Sequence, residues 1–300
     1  MRITDKILQN SFISNLSFAQ ERLYEKEQKV MTNKAINKPS DNPVDTMTSL
    51  AIRTKISQIE QYQRNISNSQ TLLKNSETVV NDVLDQFDRV NTLTVQGASD
   101  NYSTADKISI SHEVNQIIEQ VFNLANNRSE STYTFAGTRN DTAPYQAVRN
   151  EAGEIVEVKT TGSAGDINAV IGENIKIKVN VNGEDLFKKG QNLFDTLIKV
   201  RDDLRANDTN GLRQDLTNLS SASEQIINIQ SVIGARVNRI DAAQSRAEDD
   251  AVNFNAYLSN IEDVDASQAI IDYQTELLTL QSSLQAGARL LYPKLSDFLK

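Results

Sequence analysis

The chain has 300 residues, with 31 Lys and Arg against 40 Asp and Glu, a net charge of -9, one His, no Cys and no Trp. This length allows a sizeable core, while the acidic balance argues against broad nucleic-acid binding, which requires clustered Lys and Arg. The absence of Cys excludes disulfides, thiolate catalysis and Cys-type zinc sites, and no stretch approaches the roughly 20 consecutive apolar residues of a membrane span.

The first 41 residues predict an amphipathic helix followed by a turn. Apolar residues at helical spacing share one face, namely Leu8, Phe12, Leu16, Ala19, Leu23 and Val30. The opening stretch, Met1 to Ile7, lacks the apolar run of a cleavable signal peptide. If the protein leaves the cell, we expect an export route that does not use such a peptide.

A turn signal made of Pro39, Ser40, Asp41, Asn42 and Pro43 predicts where a second helix begins. The side chain of Asp41 or Asn42 can accept hydrogen bonds from the free N–H groups of the first turn. Pro43 falls in that turn, where its missing N–H carries no penalty. The helix that follows has one narrow seam, made of Ile52, Ile56, Ile59, Gln63, Ile66, Gln70, Leu73, Glu77, Val80, Leu84 and Phe87.

The middle of the chain changes texture. Shorter helices are predicted at about 104–127 and 191–205. Between about 131 and 189, short alternating runs such as 154–158 and 175–181 are separated by Gly, Pro and Asn-Gly turns, which is typical of strands. We expect a small β-rich domain here, with 133–137 as its first strand.

The C-terminal third carries the clearest periodicity. Alternate steps of four and three from Leu212 to Ile261 meet mostly apolar residues, which predicts a long helix packed along one seam. Asp265 or Ser267 is placed to cap a new helix after it. The apolar face of that last helix consists of Ile270, Tyr273, Leu277, Leu280, Leu284, Leu291 and Phe298.

The two terminal segments suggest assembly. Ordering about 40 residues costs on the order of 1–2 kcal/mol each in backbone entropy, whereas one large apolar side chain recovers about 1.5–3 kcal/mol on burial. Neither segment should therefore be stable alone. Either the two segments pair within one molecule, or they fold when neighbouring subunits cover their apolar faces.

Several stretches resemble the flagellin-like family of bacterial flagellar subunits. Residues 37–43, Asn-Lys-Pro-Ser-Asp-Asn-Pro, are similar to the family's Pro-Ser-Asp-Asp-Pro turn, and Asn33 stands where the family usually has Gly. Residues 133–138, 234–240 and 258–265 are similar to the members that join the hook to the filament rather than to flagellin itself. The order of these matches along the whole chain makes the resemblance specific.

The resemblance implies a secreted, extracellular structural protein of the bacterial flagellum at the hook–filament junction. It implies self-association in an adaptor ring, export unfolded through the type III apparatus, and no cofactor. It also implies three partners: a second hook-associated protein, flagellin and an export chaperone. Flagellin, the bulk filament subunit, is the nearest alternative, and an intracellular coiled-coil scaffold protein is an alternative of a different class.

An enzymatic function has little support in the sequence. His112 lies in Ser-His-Glu-Val on a predicted helix, but no Gly-rich phosphate loop accompanies it, so an ordinary surface His is the better interpretation. The acidic runs at 248–250 and 262–265 lack the Gly and alternating oxygen ligands of a calcium loop. We therefore expect no catalytic residue and no metal site.

Together these patterns predict a mainly α fold. Its long coiled-coil-like helical rod is formed by the N- and C-terminal halves, at 42–130 and 190–266, and carries a small β-rich domain at 131–189. Residues 1–41 and 267–300 are predicted to form a terminal helical segment that is disordered in the monomer. The apolar faces of that segment are the predicted assembly interface.

Overall fold

The computed structural model describes residues 2–291, apart from 130–131, 140 and 163–164. Its helices and strands follow in the order α1 (Arg2–Thr32), α2 (Pro43–Gly97), α3 (Thr104–Ala125), β1 (Arg128–Ser129), β2 (Thr132–Tyr133), β3 (Tyr145–Arg149), β4 (Ile155–Thr160), β5 (Asn168–Gly172), β6 (Ile175–Lys178), α4 (Gly183–Phe187), α5 (Leu193–Ala206), α6 (Thr209–Glu262) and α7 (Ala266–Leu291). The predicted class, mainly helical with a β-rich middle, is confirmed.

The chain divides into two compact units. The terminal unit comprises Met1–Gln58 and Asp250–Lys300, and the central unit comprises Ile59–Asp249. The predicted boundaries at 41/42 and 266/267 instead follow the turns between helices, and they remain a prediction. The two units differ most in what they bury.

Side-chain caps fix where several helices begin. Asn42 Oδ1 accepts a hydrogen bond from the Asp45 N–H at 3.2 Å, as predicted, and Pro43 is the first residue of α2. Asp265 Oδ1 accepts from the N–H groups of Ser267, at 2.8 Å, and Gln268, at 3.2 Å. Asp265 therefore caps α7, and Ser267 does not.

In the central unit α2 and α6 run antiparallel. The polar residues of the α2 seam bond across to α6: Gln63 Nε2 donates to the Ala247 carbonyl at 3.3 Å, and Gln70 Nε2 donates to Asp241 Oδ1 at 2.9 Å. Each pair fits only one register, because a shifted helix would leave polar groups without partners. The buried apolar seam positions of the two helices include Ile66, Leu73, Val80, Phe87, Ile226, Ile233 and Ile240.

The β-rich region consists of three separate antiparallel hairpins, β1–β2, β3–β4 and β5–β6. The predicted first strand at 133–137 is only partly present, because strand pairing ends at Tyr133 and Phe135 lies in the turn that follows. The alternation of apolar residues at 133–137 predicted a strand that includes Phe135, but Phe135 is apolar for a different reason. It belongs to a buried aromatic cluster rather than to a sheet face.

That aromatic cluster joins the β-rich region to the helices. The Phe187 ring lies 5.5 Å from that of Phe135, 5.3 Å from that of Tyr145 and 5.4 Å from that of Phe194. A Cβ on Gly183 would overlap the Tyr145 hydroxyl, so the backbone approaches the ring too closely for any larger residue. Burial raises the pKa of Tyr145 well above its ordinary value.

Two arginines of α5 hold the β3–β4 hairpin. Arg201 is buried and donates to the Ile155 carbonyl at 2.8 Å. Arg205 donates to both carboxylate oxygens of Glu154, at 2.7 and 2.6 Å. Hydrogen bonds from Arg205 lower the pKa of Glu154 to about 2.

Candidate assembly surface

The terminal unit is built around an antiparallel pair of α1 and α7. Arg22 Nε donates to Glu276 Oε1 at 2.9 Å, and Lys26 Nζ donates to Asp272 Oδ2 at 2.7 Å. Residue numbers rise on one helix as they fall on the other. The sequence left open whether the terminal segments pair within one molecule or fold only against neighbouring subunits. In this structure they pair within one molecule.

One close contact fixes this pair sterically. Gly287 lies in the interior of α7, where Gly is disfavoured by about 1 kcal/mol relative to Ala. A Cβ at this position would overlap the ring of Phe12 on α1. The glycine therefore provides the gap into which the Phe12 ring fits.

The residues predicted as the assembly interface mostly line this helix pair. Ala19 is 3% exposed, and the other described members with covered side chains are half-buried, namely Phe12, Leu16, Leu23, Val30, Tyr273, Leu277 and Leu280. Ile270 and Leu284 remain exposed at 45% and 46%. Leu8 and Leu291 lie within α1 and α7, and Phe298 lies outside the described residues.

A second set of apolar side chains faces solvent, and the periodicity argument missed all of it except Ile270 and Leu284. Most exposed large apolar residues belong to the terminal unit, although it is the smaller of the two. They are Ile7, Ile13, Phe18, Tyr24, Met31, Val44, Met47, Leu50, Val252, Tyr257, Ile270, Ile271, Leu278 and Leu284. For the members other than Ile270 and Leu284, the only sequence signal is that they lie off the main apolar stripe of their helix.

By contrast, the terminal unit buries almost nothing apolar. Among the residues that the structure describes, Ala19 and Ala269 are its only buried apolar side chains. Burying two alanine side chains stabilises a fold only weakly, because the free energy gained is about 25 cal/mol per Å² of apolar area and alanine has little such area. The exposed set is thus a surface that a neighbouring molecule can cover, which we call the terminal apolar surface.

Two turns of the terminal unit are held together by hydrogen bonds and charge. The Ala35 N–H donates to the Glu262 carbonyl at 2.6 Å, and the Val264 N–H donates to the Asn33 carbonyl at 3.2 Å. Asn33 adopts the left-handed conformation expected of it, with φ of 57°. The Glu262 carboxylate accepts from Arg53 Nε at 2.9 Å, and this bond lowers the pKa of Glu262.

The predicted turn at Pro39–Pro43 is present, with Pro39, Ser40 and Asp41 in the turn itself. Asp41 does not cap α2. Its Oδ2 accepts instead from the N–H groups of Asn37 and Lys38, both at 2.9 Å, and these bonds lower its pKa. Asp41 closes the turn, and Asn42 caps the helix that begins at Pro43.

The described residues offer little to other kinds of site. Within residues 2–291 and outside the small gaps, no cluster of three His, Asp or Glu side chains is arranged to hold a metal ion. None of the helices in that part of the chain is both long and apolar enough to cross a bilayer. His112 is exposed on α3.

Comparison with known proteins places the sequence among flagellar proteins. The model for the bacterial flagellin N-terminal helical region matches residues 3–139, and that for the C-terminal helical region matches residues 216–292. Flagellar hook-associated protein 3 of Escherichia coli K12 is 21% identical over 95% of this chain and 96% of its own length. A flagellar filament 30.7 kDa core protein of Treponema maltophilum is 24% identical over 86% and 84%.

A solved structure shows the same fold. Flagellar hook-associated protein 3 of Legionella pneumophila superposes with a TM-score of 0.63 at 15% identity, covering 70% of this chain and 98% of that one. The two family models cover most of the terminal unit and extend into the central unit, up to residue 139 and from residue 216.

Proposed function

The chain belongs to the flagellin family, and from this premise we propose that it is a structural subunit of the bacterial flagellum that joins the hook to the filament. In this role it forms part of an adaptor ring on which flagellin assembles. The observation that carries the proposal is the terminal apolar surface, which is exposed on a unit whose only buried apolar side chains, among the described residues, are two alanines. Such a unit gains its stability from neighbouring subunits.

The partners follow from the position between hook and filament. A second hook-associated protein lies on the hook side, flagellin lies on the filament side, and further copies of this chain complete the ring. Contacts between identical subunits in such a ring are heterologous, so different parts of the terminal apolar surface meet in neighbouring copies. An export chaperone covers the apolar faces before secretion, and the assembled protein is extracellular.

The role is mechanical rather than catalytic. The relatives are structural proteins of the flagellum by name. The strongest local arrangements of charge, around Glu262 and Glu154, are ion pairs that hold structural elements together. The chain therefore acts by binding its neighbours.

A second candidate, bulk filament subunit, is supported by the match to the Treponema filament core protein. The hook-associated relative matches more of this chain, 95% against 86%, which favours the junction. In a deletion strain the two functions predict different amounts of flagellin in the medium.

Electron microscopy of a deletion strain, with flagellin assayed in the medium, separates these functions. Bare hooks with flagellin shed into the medium are expected, because export continues while nothing anchors the filament. Bare hooks without flagellin would make this chain the filament subunit. Normal flagella would contradict both flagellar functions.

A matched pair of variants tests the surface itself. Leu278→Asp places a charge on α7 at a position that is 62% exposed, and Ile108→Asp does the same on α3 at a position that is 41% exposed. We expect Leu278→Asp to abolish filament attachment, because a charge on a covered apolar surface is strongly disfavoured. Ile108→Asp should leave attachment intact. Equal attachment in the two strains would contradict the assignment of the surface.

A further inference from the structure

The corner between α5 and α6 contains a buried acceptor without a donor. Asp215 is fully buried on α6, and its Oδ1 accepts from Lys199 Nζ at 3.0 Å. Its Oδ2 is also buried and has no hydrogen-bond donor among the described residues. An acceptor removed from water without a donor is strongly disfavoured. We therefore expect a neighbouring group to carry a proton and donate it to this oxygen.

The nearest candidate to supply that proton is Asp203 on α5. Its carboxyl lies within hydrogen-bonding reach of Asp215, and a Cβ on Gly211 would overlap its Oδ2. Two carboxylates have only acceptor atoms, so a hydrogen bond between them requires that one keep a proton. Burial, and then the neighbouring charge of Asp215, raise the pKa of Asp203.

The other charged groups around Asp203 do not replace this proton. Lys199 bonds to Oδ1 of Asp215, the oxygen that already has a donor, and its charge opposes the rise in the pKa of Asp203. Asp208, in the connection between the helices, adds negative charge and so favours the protonated form. Lys107 of α3 directs its Nζ to Thr209 Oγ1, at 3.3 Å.

We propose that Asp203 keeps its proton and donates it in a hydrogen bond to the buried Asp215, and that this bond holds the α5–α6 corner closed as a pH-sensitive latch. In the closed corner the protonated carboxyl of Asp203 donates to the buried carboxylate of Asp215. When the proton leaves, two like charges remain beside each other, one of them on the fully buried Asp215, and they repel each other.

Opening of the latch would loosen the turn between α5 and α6. Asn207 ends α5 in the left-handed conformation, with φ of 57°, and Asp208 donates its N–H to the Asp203 carbonyl at 3.0 Å. Leu204 and Leu212, on either side of the turn, are fully buried and lie against Gly97 of α2. Repulsion across the corner therefore weakens the packing of α5 and α6 on the end of α2.

The sign of the pH dependence follows from the raised pKa. A carboxyl whose pKa is higher in the folded than in the unfolded chain stabilises the fold below its unfolded pKa. That contribution is lost as the pH rises through the folded pKa. The latch is therefore closed in acid and loosens toward neutral pH, opposite to an ordinary ion-paired carboxylate.

Carboxyl ¹³C NMR of the full chain, with hydrogen exchange of amides 204–212, tests the latch. We expect Asp203 to titrate above its ordinary value of 3.8. The corner amides should exchange faster, after correction for intrinsic rates, as the pH passes through that titration. A carboxyl of Asp203 that titrates at or below 3.8 would overturn the proposal, as would corner protection that does not follow it.

Asp203→Asn provides an amide donor for Asp215 that does not titrate. Its unfolding equilibrium constant should lose the part of the pH dependence that follows the titration of Asp203, which amounts to at most tenfold per pH unit for one proton. Asp249→Asn, at an exposed position of α6, is the control and should retain it. If Asp203→Asn fails to fold, Asp215→Asn supplies a donor from the other side of the pair. An unchanged pH dependence in the variant that folds would overturn the latch.

Discussion

The terminal and central units are both mainly helical, but they use their apolar residues in opposite ways. In the central unit the seam residues of α2 and α6, the inner face of α3 and α5, and the aromatic cluster are buried together. In the terminal unit, the described large apolar side chains of α1 and α7 are half-buried or exposed, and two alanines are the only apolar side chains buried among the described residues. Similar helical periodicity therefore serves an internal core in one unit and a surface for neighbours in the other.

The difference comes from the number of elements that cover each helix. In the central unit α3 packs on α5 and on β3, and α5 packs on β4 as well, so more than one stripe of each helix can be buried. Within the terminal unit α1 and α7 chiefly cover each other, which buries one stripe and leaves the rest in water. Stability in the central unit is thus internal, and stability in the terminal unit depends on assembly.

The largest effect is expected from Phe187→Ala, which removes the ring at the centre of the aromatic cluster. Phe187 is fully buried, so the change should lower the free energy of unfolding by about 3–5 kcal/mol. Phe18→Ala is the matched control in the terminal unit, where the ring is 56% exposed, and it should change the free energy of unfolding by less than about 0.5 kcal/mol. Urea unfolding measures both. Similar losses in the two variants would remove the distinction between the units.

A smaller loss is expected from Glu154→Gln, which breaks the ion pair with Arg205 in the central unit. Hydrogen bonds to charged groups contribute about 1.5–3 kcal/mol, and the partial exposure of this pair places the loss at the lower end. The pKa of Glu154 is lowered to about 2, so its contribution is present above pH 4.5 and lost as the pH falls toward 2. Urea unfolding from pH 7 to pH 2.5 should show this decline in the unmodified chain and less of it in the variant. The same decline in both chains would contradict the assignment.

In the terminal unit, Gly287→Ala should weaken the pairing of α1 with α7. The new methyl group overlaps the Phe12 ring, which costs about 1–3 kcal/mol, against a gain of about 1 kcal/mol in helix propensity. Fewer filaments should remain on their hooks after heating, counted by electron microscopy. Adding Phe12→Leu, which vacates part of the space, should restore attachment. Attachment in the single variant equal to that of the unmodified chain would contradict the contact.

The smallest effect is expected from Glu276→Gln, which removes the partner of Arg22 on the surface of the helix pair. Exposed ion pairs contribute about 0.2–1 kcal/mol and weaken with salt. The same heating assay should show a slight loss of attachment at low salt and none at high salt. Glu113→Gln, which breaks the exposed pair with Arg89 in the central unit, should have no effect on attachment. A loss that salt does not reduce would rule out an electrostatic cause.

The sequence predicted the long helices well because their signals are local. Asn42 and Asp265 act at helix starts through hydrogen bonds within a few residues, Pro43 fits the first turn because it has no N–H to satisfy, and the seam of α6 repeats over many turns. The function was also accessible, because short stretches at both ends resemble one family. These features need no knowledge of distant contacts.

The remaining features depend on distant residues. Phe135 looked like part of a strand because alternation does not reveal that its ring meets Phe187 from another part of the chain. The role of Gly287 was not visible in the sequence, because it depends on the Phe12 ring that packs against it from α1. For the candidate surface, periodicity found the stripe that lines the helix pair, whereas Phe18 and Leu278 lie outside it.

Hydrogen exchange of the isolated full chain at neutral pH, followed peptide by peptide, tests most directly whether the terminal unit needs neighbours to fold. Amides of α1 and α7 should exchange within seconds to minutes, while those of α2 and α6 within Ile59–Asp249 stay protected. Protection of α1 and α7 equal to that of the central helices would contradict assembly-dependent folding. The helix pair would then be a permanently folded part of the monomer.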